Sequence, residues 1–452
     1  MRDLRIRYWM VLLAMLVAVL LYLDRICLSV ASASVERDLE LSGDKLKWIL
    51  SAFFWTYALA QLPAGWLGDR FGARWVLGSY VALWSLSTAL LGLAGSAFSL
   101  LLLRLACGLF EAGAYPVCAG IVRQWVPAQN RGFASGIVSV GGRLGGAIAP
   151  VLTIELMIWW TYGHSSWLLE GNANPGDSSW RPVMLLYGIA GLGIALIFVW
   201  LYRDRPEQHP LVSPLELQHI RGSAQPLPSL ASQDAAGAVS PSPSEKLTLP
   251  LSALLTSLSL WLMCLVQFAS NFGWAFLVTL LPRYLSDVHH VSQQSQGWMQ
   301  TLSLGSGMLG LLVGGWLTDF ATHRWGLRYG RAIMLATARG LVAIAFIAGL
   351  QVSSPWEAAI FLALVGFSTD LGIGAMWAYG QDVGGKYVGS VMGWANMWGN
   401  LGAALSPIIF GLISEAFAED KPQGWRFAFL FCAAVQIIAA IAACGVSAAK
   451  RI

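Results

Sequence analysis

Long apolar runs alternate with short polar breaks along the whole chain. Runs of 18 or more mostly apolar residues lie near 8–31, 45–67, 75–95, 98–122, 132–158 and 182–202. A second series lies near 251–285, 293–318, 331–352, 356–380, 387–414 and 424–447. A helix needs about 20 apolar residues to cross the hydrocarbon layer of a bilayer, and each run supplies them. The expectation is an all-α polytopic membrane protein with twelve transmembrane helices, spans 1 to 12.

Between spans 6 and 7 the pattern breaks. The segment Arg203 to Lys246 opens with a short amphipathic stretch behind Ser213 (Pro214, Leu215, Leu217, Ile220) and continues as Pro/Ser/Ala-rich sequence that cannot bury a core. The expected organisation is an N-terminal six-helix bundle over 1–205, a cytoplasmic linker over 206–248 and a C-terminal six-helix bundle over 249–452.

The halves repeat one another. Gly65-Trp66-Leu67-Gly68-Asp69 after span 2 recurs as Gly315-Trp316-Leu317-Thr318-Asp319 after span 8. Aligning Arg143 in span 5 with Asn400 in span 11 pairs Gly136 with Gly393, Gly142 with Gly399, Gly145 with Gly402 and Pro150 with Pro407. Parallel six-span repeats are a transporter architecture, in which substrate sits near the midplane between halves that rock to give alternating access.

Composition narrows the class further. Of 452 residues 56% are hydrophobic and 12% charged, about half the usual share of roughly 25%. A soluble chain of this length would need a charged surface that this one lacks. A formal net charge of +4 with no concentrated basic patch excludes nucleic acid as a partner. Seventeen Lys/Arg fall in one set of loops and tails, seven in the opposite set and four inside spans, so both termini are expected in the cytoplasm of a multi-pass inner-membrane protein. Arg2, Arg5 and Arg7 before an apolar run imitate a secretory signal, but Asp24 and Arg25 precede the Ala31-Ser32-Ala33 tripeptide, and the segment reads as an uncleaved first helix. All six cysteines lie in apolar stretches without a Cys-x-x-Cys pair and read as small buried hydrophobes. No cofactor or metal is expected.

The loop Gly65-Trp66-Leu67-Gly68-Asp69-Arg70-Phe71-Gly72-Ala73-Arg74 resembles the signature loop of the major facilitator superfamily. A narrower resemblance is to its anion:cation symporter branch, the sialic-acid, hexuronate, galactonate and vesicular glutamate carriers. It rests on Tyr22-Leu23-Asp24-Arg25, Ser51-Ala52-Phe53 through Tyr57, Gln61-Leu62-Pro63, Arg104 through Glu111, Gln267-Phe268, Trp274, Pro282-Arg283-Tyr284-Leu285, Asn396 and Gly399-Asn400-Leu401-Gly402. The resemblance implies the major facilitator fold and uptake of an organic anion, often a sugar acid, driven by a cation gradient that is usually of protons in bacterial members. The expected partners are that anion, a co-transported proton and the lipid bilayer, with the chain working as a monomer.

Charges inside spans cost at least about 2.5–3.5 kcal/mol each at the bilayer centre, so those retained face partners or a cavity. The resemblance gives Arg25 the role of binding the substrate carboxylate, which suits a guanidinium fork that never loses its charge; the other reading is a structural ion pair. Asp24, turned about 100° away, should face another helix. Arg104 and Glu111 share a face of span 4 two turns apart, too far for a direct bond, which leaves Arg104 to Asp24 or a shifting partner. A carboxylate that gains and loses a guanidinium as the protein rocks takes up and releases protons. Asp24 and Glu111 are therefore the proton-coupling candidates with Arg104 as modulator, against the alternative of a fixed network.

Arg143 departs from the resembled carriers, where glutamine can stand. It either meets a second acidic or hydroxylated group of the substrate or pairs with Asp370, which itself is a candidate to gate, couple or bind. Arg339 has room to snorkel outward and receives no role. Tyr22, Tyr57, Gln61, Trp377, Asn396 and Asn400 are candidate walls of the substrate site. Asp69, Arg70, Arg74 and Asp319, at helix ends, are candidates for contacts that hold one conformation closed. Beside proton-coupled symport stand an anion exchanger and a sodium-coupled carboxylate carrier. A membrane enzyme or a receptor is disfavoured, because no nucleophile with its base, metal cluster or phosphate loop is present.

Overall fold

In lipid every backbone N–H and C=O must be satisfied within its own segment, which for these sequences means helices. The computed structural model describes residues 5–163, 179–221, 248–249, 251–291 and 293–448, and contains no strand among them. Spans 1, 2, 3, 5, 6, 11 and 12 are single helices: Ile6–Val30, Gly43–Phe71, Ala73–Leu91, Arg131–Tyr162, Arg181–Leu201, Val388–Ala416 and Lys421–Cys444. Span 7 is Leu258–Thr279, flanked by short helices Leu251–Thr256 and Leu281–His289 where one run over 251–285 was expected. Spans 8 and 9 run on as Gln293–Ala348, bent at Gly326. Leu59, Leu196 and Trp200 expose 68%, 74% and 74% of their surface, a cost in water that lipid removes.

Spans 4 and 10 are each interrupted. Span 4 is Ala97–Glu111 then Ala114–Trp125, and span 10 is Pro355–Leu371 then Ile373–Val383. The interruptions fall directly after Glu111 and one residue beyond Asp370, two of the carboxylates that the sequence places inside the membrane. Gly72 (φ 87°) and Gly326 (φ 76°) turn the chain between spans 2 and 3 and between spans 8 and 9, a backbone region essentially closed to other residues.

Equivalent glycines make equivalent contacts in the two halves. A Cβ at Gly145 would lie 2.4 Å from the Val19 carbonyl oxygen, and one at its repeat partner Gly402 2.3 Å from that of Phe268. Between halves, a Cβ at Gly136 would lie 2.7 Å from the Leu311 carbonyl oxygen, and one at Gly393 2.3 Å from that of Gln61. Span 5 thus crosses span 8 as span 11 crosses span 2. These are backbone-to-backbone approaches that only small residues permit.

The two ends of the described chain lie at one end of the bundles. The Arg7 backbone N–H donates to Glu216 Oε1 at 3.0 Å, in the helix Pro214–Arg221, whose first turn is capped by Ser213. Near the other terminus the Ser447 N–H donates to Ser259 Oγ, which also meets Tyr379 Oη. The Pro/Ser/Ala-rich part of the linker, residues 222–245, lies outside the described residues, as do Arg2, Lys246, Lys450 and Arg451. Five cysteines are buried and unpaired; Cys444 is exposed, on an outward face of span 12, contrary to the expectation for it.

Candidate functional site

Span 1 brings Asp24 and Arg25 into the N-terminal bundle on different faces. Arg25 reaches span 4, where Nε and Nη2 both stand 3.2 Å from Glu111 Oε2. Three aromatic rings surround the guanidinium: Tyr57 at 4.3 Å, Tyr22 at 5.0 Å and Phe53 at 5.1 Å from its carbon. The Arg25 side chain keeps 13% exposure against 1% for Glu111, so the cation forms the accessible side of the pair. Asp24 turns to span 3 and accepts from Trp84 Nε1 at 3.1 Å; its Oδ1 is buried without a hydrogen-bond partner among the described residues. Arg104 was expected to serve Asp24 or a shifting partner. Instead it stacks over Phe53 at 4.7 Å, buried, with Nε and Nη1 unbonded among the described residues.

A second cluster straddles the halves. Arg143 of span 5 crosses to Asp370 of span 10 as a fork, with Nε 3.0 Å from Oδ2 and Nη2 2.6 Å from Oδ1. The geometry therefore takes the pairing alternative for Arg143 in this conformation. The guanidinium also lies 5.2 Å from the Trp274 ring. Arg339 does not snorkel outward: it is fully buried and donates to the carbonyl oxygens of Thr369 (2.7 Å) and Ser368 (3.4 Å) and to Gln436 Oε1 (3.3 Å). A span 10 packed on span 9 offers loosened carbonyls next to its interruption, a nearer sink for the guanidinium than the membrane surface.

Between the clusters run the candidate walls. Tyr22 separates them, its ring under Arg25 on one side and against Gly142 and Gly146 of span 5 on the other. Tyr57 stacks on Phe53 at 5.5 Å. Trp377 meets Tyr115 edge-to-face across the halves at 5.3 Å. Gln61 is buried with both amide atoms unbonded among the described residues. Asn396 accepts from Gln267 Nε2, and Asn400, one turn further along span 11, is half-buried.

At the end that carries the termini, two carboxylates fasten the halves. Asp69 accepts from the backbone N–H groups of Gly389 and Ser390, both at 2.7 Å, and from Ser390 Oγ at 2.8 Å. Asp319 accepts from the N–H groups of Gly132 and Phe133, both at 2.8 Å. Each carboxylate caps the first turn of a helix in the opposite half, span 11 or span 5, where free N–H groups and the helix dipole favour an anion. The partners are backbone N–H groups at helix ends and, for Asp69, the Ser390 hydroxyl. Arg70 and Arg74 do not cross: Arg70 is exposed over Trp66 and Phe71 of its own helix, and Arg74 binds Asp204 and the Val199 carbonyl of its own half.

Residues 14–407 and 263–449 match the model of the Major Facilitator Superfamily. The chain belongs to the major facilitator superfamily. It is accordingly a membrane transporter and not an enzyme. It is 30% identical to the probable sulfoacetate transporter SauU of Cupriavidus necator, over 89% of this chain and 86% of that one. It is also 30% identical to the probable galactarate/D-glucarate transporter GudP of Escherichia coli K12 (90% and 87%), and 27% identical to the D-galactonate transporter of Escherichia coli O6:H1 (97% and 94%). These relatives agree with the anion:cation symporter resemblance. Among solved structures it is similar to the proton:xylose symporter XylE (TM-score 0.67, 14% identity, 96% and 94% covered) and to an inward-facing bacterial homologue of Spinster (0.58, 21%, 97% and 96%), likenesses that speak for the fold.

The transporter also uses residues that sequence reasoning passed over. Asp382 accepts from Arg131 of the N-terminal half at 2.8 Å and from Arg331 of its own half at 3.1 Å, and Arg331 stands 3.7 Å from Asp319. Arg131 and Arg331 had been absorbed into the tally of basic loop residues. Arg331 follows the second Gly-x-x-x-Asp copy at the start of span 9, which is a signal in the sequence, whereas Arg131 comes near Asp319 and Asp382 only once the halves face each other. Gln381 adds a buried bond to Ser135 across the same contact at 3.1 Å.

Proposed function

We propose that the transporter takes up an organic anion, a sugar acid of the hexuronate or aldonate kind, across the bacterial inner membrane together with a proton. It works by alternating access, as a monomer, with both termini and the linker in the cytoplasm, as the 17-to-7 distribution of basic residues favours. The end fastened by Asp69 and Asp319 is then the cytoplasmic one, and the conformation described is closed to the cytoplasm.

The observation that carries this reading is the Arg25–Glu111 pair, an exchangeable contact whose cation is the more accessible member. A substrate carboxylate approaching Arg25 competes with Glu111 for one guanidinium. A proton on Glu111 removes that competitor, so proton and anion favour each other's binding, which is the thermodynamic content of symport. Tyr22 and Tyr57 hold the guanidinium by cation–π contact as it changes partner. Names of relatives that carry sulfoacetate, galactarate, D-glucarate and D-galactonate support an anion as cargo.

The test is uptake into proteoliposomes of uronates, aldonates, aldarates, sialic acid and sulfoacetate under an imposed pH or sodium gradient. Accumulation driven by the pH gradient is expected. Accumulation driven only by sodium, or exchange without net flux, selects the sodium-coupled carrier or the exchanger, and no uptake of any acid overturns the anion reading.

A further inference from the structure

We propose that Asp370 is a built-in stand-in for a second acid group of the substrate, and that among organic anions the transporter prefers a dianion of the aldarate kind to the one-acid hexuronates and aldonates. One acid group meets Arg25, which rests on the reading just given, and the other displaces Asp370 from Arg143.

The fork that Arg143 makes with both oxygens of Asp370 is the arrangement a guanidinium offers to any carboxylate or sulfonate. Arg143 keeps 19% exposure and Asp370 3%, so an incoming anion meets the cation first. Beside Arg143 the Trp274 indole N–H is buried and has no hydrogen-bond partner among the described residues. A buried unbonded donor is costly, and an anion on Arg143 would supply its acceptor.

Asp370 has somewhere to go. Arg339 donates to the carbonyls of Ser368 and Thr369, in the same turn as Asp370, and forms no ion pair among the described residues. Gly307 holds open the space that the carboxylate occupies, since a Cβ there would lie 2.4 Å from Asp370 Oδ2. The charge count agrees: two guanidiniums, Arg143 and Arg339, face one carboxylate, leaving one positive charge that a second acid group neutralises and a hydroxyl does not. Tyr22 borders both Arg25 and span 5 at Gly142, the residue next to Arg143, so the two guanidiniums flank one aromatic ring.

Displacement also removes one of the contacts between span 5 and span 10, so the dianion replaces a contact that helps tie the halves together. A monoacid leaves that contact in place.

D-galactonate and galactarate share a six-carbon skeleton and differ at one end, CH2OH against carboxylate. Their competition in counterflow by the full-length protein in proteoliposomes reads the proposal, with sulfoacetate against acetate as a short pair. Wild type should favour the dianion of at least one pair by about tenfold, the worth of one charge-assisted contact. Arg143→Gln should narrow that ratio to about twofold, and Asp370→Asn, which removes the competitor, should widen it severalfold. The ratio is insensitive to a fall in the amount of folded protein. Equal affinity within both pairs, an unchanged ratio in Arg143→Gln, or a narrowed one in Asp370→Asn overturns the proposal. Carriage of a monoacid without dianion preference sinks this inference alone, whereas failure of every acid to compete sinks the anion reading with it.

Discussion

The cluster at Arg25 sets two guanidiniums, Arg25 and Arg104, against two carboxylates, Asp24 and Glu111, and lies wholly within the N-terminal half. The cluster at Arg143 sets two guanidiniums, Arg143 and Arg339, against one carboxylate, Asp370, among the described residues, and spans both halves. A balanced, self-contained cluster can gain or lose a proton without parting the halves. An unbalanced one that ties them together responds to an added anion by letting go. On the proposed reading the difference separates two tasks that a coupled carrier must join, and Arg25, shared between Glu111 and substrate, is where they meet.

The largest expected effect comes from breaking the balanced cluster. Glu111→Gln fixes the neutral form and removes the proton cycle, so accumulation against a gradient should fall to the equilibrium level while counterflow persists. Equal loss of both would make Glu111 a structural partner of Arg25 and erase the division of tasks. Arg25→Lys comes next. It keeps the charge but loses the fork that meets a carboxylate with two bonds, so KM should rise about tenfold, the equivalent of about 1.4 kcal/mol. An unchanged KM for every transported acid would move substrate binding away from Arg25.

The division between tasks was only half legible in the sequence. Charges in apolar runs stand out because bilayer crossing tolerates few of them, so Asp24, Arg25, Arg104, Glu111, Arg143, Asp370 and Arg339 could be singled out one by one. Their pairing was legible only in part: Asp370 stood as one of two alternatives for Arg143, whereas Glu111 was not named for Arg25. Arg143 meets Asp370, and Arg131 meets Asp382, only because two six-helix bundles stand face to face, and no periodicity along one chain carries that information. Direction failed for Arg339 for a related reason: snorkelling is the rule for a lone helix, whereas the open carbonyls of Ser368 and Thr369 exist only once span 10 packs on span 9. The fold itself was easier, since apolar length and the repeated Gly-x-x-x-Asp motif are properties of the sequence alone.

Asp24 offers a smaller test of the balanced cluster. Trp84 is its hydrogen-bond donor from span 3, and Trp84→Phe leaves the carboxylate buried with that bond removed. On the proposed reading the pH at which uptake is half-maximal shifts, with KM at saturating proton concentration little changed. A KM change without a pH shift would make Asp24 part of the substrate wall instead of the proton path.

The smallest effects are expected at the fastened end, and they sharpen the comparison because the two fasteners ride on different helices. Asp69 ties span 2 to span 11, which carries neither cluster. Asp319 caps span 5, the helix of Arg143, and its neighbour Arg331 holds Asp382 of span 10, the helix of Asp370. Replacing either aspartate by asparagine turns one accepting oxygen into a donor facing a backbone N–H and removes the anion from a helix N-terminus, weakening the fastener by about 1 kcal/mol and loosening the closed state. Maximal rate should fall severalfold with KM nearly constant, more for Asp319→Asn because it also loses its contact with Arg331. The two substitutions should then differ when combined with Asp370→Asn. Asp319 and Asp370 act on the same span 5–span 10 contact, so their effects on rate should fall short of additive, while those of Asp69 and Asp370 should add. If Asp69 couples to Asp370 as strongly as Asp319 does, the halves move as rigid blocks and the straddling cluster has no privileged line to one fastener.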